Sequence, residues 1–449
     1  MSPTPRPTSR TTLAFVGAAA AALTLVTACS TGAPAPGGEG SPAAPAESVE
    51  LTWFQGSGVD ANLKTAEALG KAFTAKNPDI TIINDASGPS DSGIESVIKT
   101  RLATGEMADL FWYNSGSLLQ AMNPDQTMLN IKDDPLVGNL NEAFVQTVST
   151  ANGVYGVPVQ TAGGGGFFYN IPVYEKLGLQ VPKTWDEFMA NNEKIKAAGI
   201  DPVEQTYGDP WTSQITTLAD YFNVNAADAD WANKWTANQA KFATDPVALK
   251  GFSKLEDIAK AGYLNKDFAS AKLDDGLKAV ATGTAAHYPM LAFASATIIA
   301  NFPDNAADVG FFPVPGDSAD SFGFTSWSPS AVYAPANTPH PDAVRKFMAF
   351  IASPEGCDVI TETLGVTGPY MVKGCTLPDG APKIIADMLP YFEQGDVAPA
   401  LEFLSPVKGP SLQQLMVEVG SGIRDARSAA QAYDEDSAKQ AQQLGLPGW

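Results

Sequence analysis

Basic residues, histidine, cysteine and long apolar runs are all scarce in this chain. Lys and Arg total 28 against 49 Asp and Glu, a formal charge of −21. A surface of that sign repels nucleic acid and anionic lipid, so neither is expected as a partner. The histidines are His287 and His340 alone, and the chain has three cysteines. No HExxH, no cysteine-histidine metal spacing and no Gly-x-Ser-x-Gly elbow occurs, so no metal, no cofactor and no zinc or serine hydrolase chemistry is expected. Two acids about 5 to 9.5 Å apart suffice for glycoside hydrolysis. Asp91 and Glu95 offer such a pair on paper, yet 49 acids make chance pairs inevitable. Asp133 with Asp134 and Asp274 with Asp275 read as solvated helix faces. What the chain does have is 44% hydrophobic and 9% aromatic residues, the composition of a folded globule.

The N-terminus carries Arg6 and Arg10, an apolar stretch over 13–26, and VTAC at 26–29. A positive region, a short apolar core and a small-residue cleavage site form a secretory signal. Ending in cysteine, it resembles a bacterial lipobox, which implies cleavage after residue 28 and acylation of Cys29. The apolar stretch falls short of the about 20 residues that span hydrocarbon, and no later segment approaches that length, so lipid is the expected membrane attachment. Cleavage leaves 26 basic residues against 49 acids, or −23. Residues 30–47 (STGAPAPGGEGSPAAPAE) have no apolar period and read as a flexible tether with an r.m.s. span of roughly 23 Å. Two cysteines then remain, Cys357 and Cys375, 18 residues apart. Outside the cytosol an even count favours a disulfide, with a pair of buried free thiols as the alternative.

Beyond the tether, roughly 400 residues exceed what one core organises, so two lobes are expected. Residues 49–53 (VELTW) alternate as a strand, and 62–76 follow with Leu63, Ala66, Leu69, Ala72 and Phe73 at helical spacing. Strands at 80–83 and 108–112 flank a helix at 93–104. Alternating strand and helix predicts an α/β fold with a mostly parallel sheet covered on both faces. Thr184 with Glu187 is a capping-box pattern opening a helix that stops at Gly199. The run Gly163-Gly-Gly-Gly166 lacks a following Lys-Ser/Thr and precedes an apolar strand, so close backbone approach or a hinge is expected rather than phosphate binding.

A series of short segments then becomes specific: NGVYGVPV at 152–159, FYN at 168–170, LGL at 177–179, VPKTWDEF at 181–188 and AGIDP at 198–202. LATG at 102–105, ADLF at 108–111, GTAA at 283–286, FPVPG at 312–316 and AVRKF at 343–347 extend it on both sides. In order and spacing, the series resembles the family 1 extracellular solute-binding proteins, receptors of ABC-type carbohydrate importers. The resemblance implies a two-lobed periplasmic-binding-protein-like α/β fold with hinge crossings between the lobes. Applied here, it puts 48–160 and 285–328 in lobe one, 161–284 and 329–449 in lobe two, and crossings near 158–164, 283–287 and 326–330. It also implies a monomer on the extracellular face of the membrane, capturing a mono- or oligosaccharide for an ABC permease without a cofactor. A polyamine or other small-solute receptor, and a secreted glycoside hydrolase, are the alternatives.

Sugars present an apolar face of C–H groups and a rim of hydroxyls, so their sites need flat aromatic rings beside planar amides and carboxylates. In open α/β sheets ligands bind beyond the carboxyl ends of the strands. Trp53, Trp112, Trp211 and Trp327 stand at predicted strand ends or crossings, and Gln55, Asp85, Asn114 and Asp209 lie beside them. Tyr288 and Phe293 follow GTAA, where the family often reads Ala-Ala-Met and ends with Trp. For each tryptophan the ordinary alternative is core packing, and for each Asp a solvated turn or cap. Trp185, Trp231 and Trp235 are assigned to packing.

Overall fold

The structure is a computed structural model that describes residues 48–56, 60–89 and 93–449, the side chains of 60 and 61 excepted. Cys29, the signal and the tether lie outside the described residues. Eleven strands occur among the described residues: β1 (Val49–Gly56), β2 (Ile80–Gly88), β3 (Leu110–Tyr113), β4 (Val157–Pro158), β5 (Gly163–Asn170), β6 (Asp201–Val203), β7 (Ala285–Leu291), β8 (Val309–Pro313), β9 (Phe324–Trp327), β10 (Ala331–Tyr333) and β11 (Val397–Pro399).

The first sheet has the order β2-β1-β3-β10-β4. Its first three strands are parallel, with Val49 beside Ile80 and Trp53 beside Leu110, because a helix returns the chain after β1 and again after β2. The helix Asp60–Lys76 and the helix Pro341–Ile351 cover one face, where Phe347 meets both Trp53 and Phe73 edge-on. The helix Gly93–Thr104 belongs to the other face and sets the Arg101 guanidinium 4.3 Å over the Phe54 ring. With both faces covered, β1 is buried on both sides from Trp53 to Gln55.

The second sheet runs β11-β9-β5-β7-β6, with β8 also on β5. It is mixed: β5 is antiparallel to β7, β8 and β9, while β6 follows β7 and β11 follows β9 in parallel. Its flanking helices obey local rules. Thr184 Oγ1 accepts the Glu187 amide at 3.2 Å and Glu187 returns a carboxylate oxygen to the Thr184 amide, so the capping box expected from sequence closes the helix Trp185–Ala197. Gly199, just past that helix, has φ 79°.

Strand pairing corrects the expected lobe boundaries. Residues 285–328 carry β7, β8 and β9 and belong to the second sheet, whereas β10 and the helices Pro341–Ile351 and Pro354–Leu364 pack into the first core. The chain does not cross at 283–287. Gly283 caps the helix Leu273–Thr282 in the left-handed region, and β7 pairs with β5 from Leu291 opposite Gly165 to His287 opposite Tyr169. The crossings at 158–164 and 326–330 are present and run side by side. Pro158 opposes Ala331, the Val159 amide donates to Ser330, and Gly163 opposes Trp327. A third connection leaves the first core after Cys375 and reaches a core of the second lobe at Leu377 and Ile384. Cys357 and Cys375 are bonded, S–S 2.06 Å, tying the helix Pro354–Leu364 to the start of that connection.

Candidate functional site

Where the second crossing leaves β9, a cavity of about 300 Å³ opens between the two sheets, lined by Asn114, Ser115, Ser117, Leu118, Trp327, Ser328, Glu402 and Phe403. Asn114 and Ser115 come from the loop after β3, and Ser117 and Leu118 from the short helix Ser117–Gln120 that follows it. Asn114 is exposed, accepts the Tyr333 hydroxyl through its carbonyl at 3.1 Å, and receives Ser330 Oγ at its side-chain oxygen at 3.4 Å. Ser115 Oγ donates to the Pro329 carbonyl at 3.0 Å, fastening this loop to the crossing.

Trp327 ends β9. A side chain at Gly165, on the neighbouring β5, would collide with its indole, so the glycine run provides a flat bed of backbone on which the ring lies. Close backbone approach is thus the role this run plays. The indole Nε1 donates to Glu402 at 2.7 Å, and the other Glu402 oxygen takes the Lys408 ammonium. Ring, carboxylate, amide and hydroxyls together provide a stacking surface with hydrogen-bonding groups at its rim. Behind Trp327 an apolar pocket lined by Tyr221, Val224, Phe242, Leu412 and Tyr433 stays within the second half.

The remaining expected site residues fall elsewhere. Trp53 is fully buried, its ring 5.9 Å from that of Trp112, which is buried as well, and both belong to the first core. β1 runs on to Gly56 and β3 to Tyr113, so both rings lie inside strands of a sheet covered on both faces, and Trp53 meets Phe347 of the helix Pro341–Ile351. Tyr288 is also core: its hydroxyl meets Thr206 Oγ1 at 2.6 Å. Asp85 is occupied locally, accepting the Ser87 amide at 3.0 Å and lying 3.4 Å from Arg101. Burial works to raise its pKa, but the Ser87 and Arg101 contacts outweigh it and hold the carboxyl below its ordinary value. Asp209 accepts the Leu273 amide at 2.8 Å, a structural cap. Gln55 is 2% exposed, and neither atom of its amide has a partner among the described residues. Trp211 and Phe293 stack on each other at 6.2 Å, with Phe293 49% exposed. Phe293 follows the end of β7 and Trp211 lies on the turn Pro210–Gln214; Leu291 pairs with Gly165 and Trp327 with Gly163, so β7 and β9 bring Phe293 and Trp327 to the same end of β5 from opposite sides.

Of the ten, Asn114 and Trp327 meet at the cavity. Glu402 and Phe403 were not legible in sequence: they sit in the short apolar segment ALEFL at 400–404, which carries no motif, and come beside Trp327 only because Pro399 pairs with Ser326 across β11 and β9.

His287 has no catalytic setting. Its Nδ1 lies 2.8 Å from the Pro202 carbonyl, which only accepts, so that nitrogen carries the proton and Nε2 takes the Tyr174 hydroxyl at 2.6 Å. Burial pushes its pKa down to about 3. Among the described residues no group of three or more His, Cys, Asp or Glu is placed to hold a metal, and no helix is long and apolar enough to cross a membrane.

The chain is 26% identical over 334 residues, 73% of its own length and 76% of the relative's, to the multiple sugar-binding protein of Streptococcus mutans. It is 26% identical over 310 residues, 68% of each chain, to an uncharacterized ABC transporter extracellular-binding protein of Pyrococcus horikoshii. Its fold is similar to the apo-form of RafE from Streptococcus pneumoniae, with a TM-score of 0.72 over 89% of this chain and 99% of that one at 22% identity. Residues 57–356 match the model of the family described as bacterial extracellular solute-binding protein.

Proposed function

The chain belongs to the bacterial extracellular solute-binding proteins, and from that premise we propose that it captures a mono- or oligosaccharide between its lobes and delivers it to an ABC permease. Two relatives named for sugar binding and for an ABC transporter support the class. The observation that carries the reading is the Trp327 indole, bedded on Gly165 and rimmed by Glu402, with Asn114 facing the same cavity from the first lobe. A pyranose laid on the ring would bury its C–H face there and direct hydroxyls to the carboxylate and the amide. Groups from both lobes serve one ligand, so occupancy favours the closed arrangement and shifts the population toward it. The side-by-side crossings at 159–162 and 328–330 are the hinge. Trp211 and Phe293 add a second aromatic surface at the same end of β5. Trp53, Trp112 and Tyr288 support the site from within the cores, where Gln55 is buried as well. The protein acts as a monomer, held at the outer face of the cell membrane through acylated Cys29.

Among the described residues lining the cavity Glu402 is the one acid, and Lys408 already pairs with it. That disfavours a polyamine, which needs several carboxylates, and hydrolysis, which needs two. A thermal-shift screen against mono- and oligosaccharides with polyamine controls tests the reading. A sugar at 100 times its Kd stabilises by about 2.7 kcal/mol. Stabilisation by polyamines and by no sugar would reject it.

A further inference from the structure

We propose that Phe403 is a specificity-determining residue: it walls one side of the interlobe cavity and stops a bound sugar chain from continuing past it. The proposal rests on the saccharide reading above. Residues 400–405 form a strap rooted in the second lobe at both ends. At one end the Ala400 amide donates to the Ser326 carbonyl at 2.9 Å, prolonging the β11–β9 pairing. At the other, Ser405 Oγ accepts Thr236 Oγ1 at 2.7 Å, and Glu402 is braced by Trp327 and Lys408. Between these anchors the helix Leu401–Leu404 carries Phe403 across to the first lobe, where it rests on Gly116.

The contact is backbone-close. Gly116 has φ 70°, in the left-handed region, and a Cβ on it would lie 2.6 Å from the Phe403 Cα. Only glycine permits both that conformation and that approach. The strap therefore bridges the lobes outside the hinge crossings, and Glu402 and Phe403 line the cavity on that side. Glu402 faces the ligand with a polar group. Phe403 offers an apolar ring where a continuing chain would need space and hydrogen-bond partners, so extension there meets both a clash and unpaired hydroxyls. A sugar unit on Trp327 can grow in one direction and is blocked in the other.

Calorimetric titration of the parent and of Phe403→Ala tests this. The probes are maltose, cellobiose and xylobiose, each compared with its derivative benzylated at the non-reducing-end O4, extended at that end only, and with its p-nitrophenyl glycoside, extended at the reducing end only. For a set that binds, the parent should reject one of the two extensions by about tenfold or more, within the range that small steric changes in a pocket produce, and Phe403→Ala should recover that extension. Phe403→Leu, which keeps an apolar contact and shortens the reach, should recover part of it and guards against misfolding of the Ala variant. A parent that tolerates both extensions, or variants that recover neither, would overturn the wall while leaving the saccharide reading intact. If no sugar of these sets or of the wider screen binds either protein, the saccharide reading fails and the wall falls with it.

Discussion

Side chains of one type do different work in this protein according to what covers them. Sequence places Trp53 and Trp327 alike at strand ends, yet β1 runs on to Gly56 and Trp53 is sealed between two aromatic rings, while Trp327 ends β9 and lies on glycine at an open cavity. Sequence shows the strand end but not the helix that covers it, since the helix Pro341–Ile351 is almost 300 residues away from Trp53. Asn114 was legible for the opposite reason: the chain has left β3 before it, and the residue there is exposed. Glu204 shows how burial sets chemistry. It is 5% exposed and accepts Asn265 Nδ2 at 3.0 Å. Burial, then the charges of Asp267, Asp201 and Asp275, raise its pKa to about 8. A carboxyl raised in the folded state keeps its full contribution below the unfolded value near 4.5 and loses it as pH rises toward 8. Glu204→Gln keeps an acceptor for Asn265 and removes the titration. Urea denaturation should therefore show the variant gaining on the parent between pH 5 and pH 8. A difference constant with pH would mean that Glu204 is ionised throughout.

Elements governed by local rules matched their sequence signals, and those governed by pairing did not. The Thr184–Glu187 box and the Gly199 stop depend on contacts within four residues, so the helix Trp185–Ala197 was readable to the residue at its start. The segment at 283–287 was not, because glycine punctuation marks a helix end as readily as a crossing, and only the partner strand distinguishes them. Cys357 and Cys375 join the helix Pro354–Leu364 to the third connection over a separation of 18 residues. Closing such a loop restricts the unfolded chain and should be worth about 3 kcal/mol. The double Ser variant should lose that amount in equilibrium denaturation under oxidising conditions. Equal stability of variant and parent would contradict a stabilising role for the bridge.

At the scale of the whole molecule, two sheets share a chain that crosses between them, and the cavity exists only where both contribute. The resemblance supplied the two-lobed plan, and the strand pairings reassigned 285–328 to the second lobe. The acidic balance and the lipobox-like start concern the molecule's place at a membrane. Cys29→Ser should move the protein from the membrane fraction to the soluble one, and retention after a high-salt wash would contradict lipid anchoring. The central claim is that a saccharide sits on Trp327 between the lobes. Isothermal titration of the parent and of Trp327→Ala with the best sugar of the screen tests it most directly. Losing a stacking ring should cost about 1 to 3 kcal/mol, roughly 5- to 150-fold in Kd. A Trp327→Ala protein that binds that sugar as tightly as the parent would contradict the site described here.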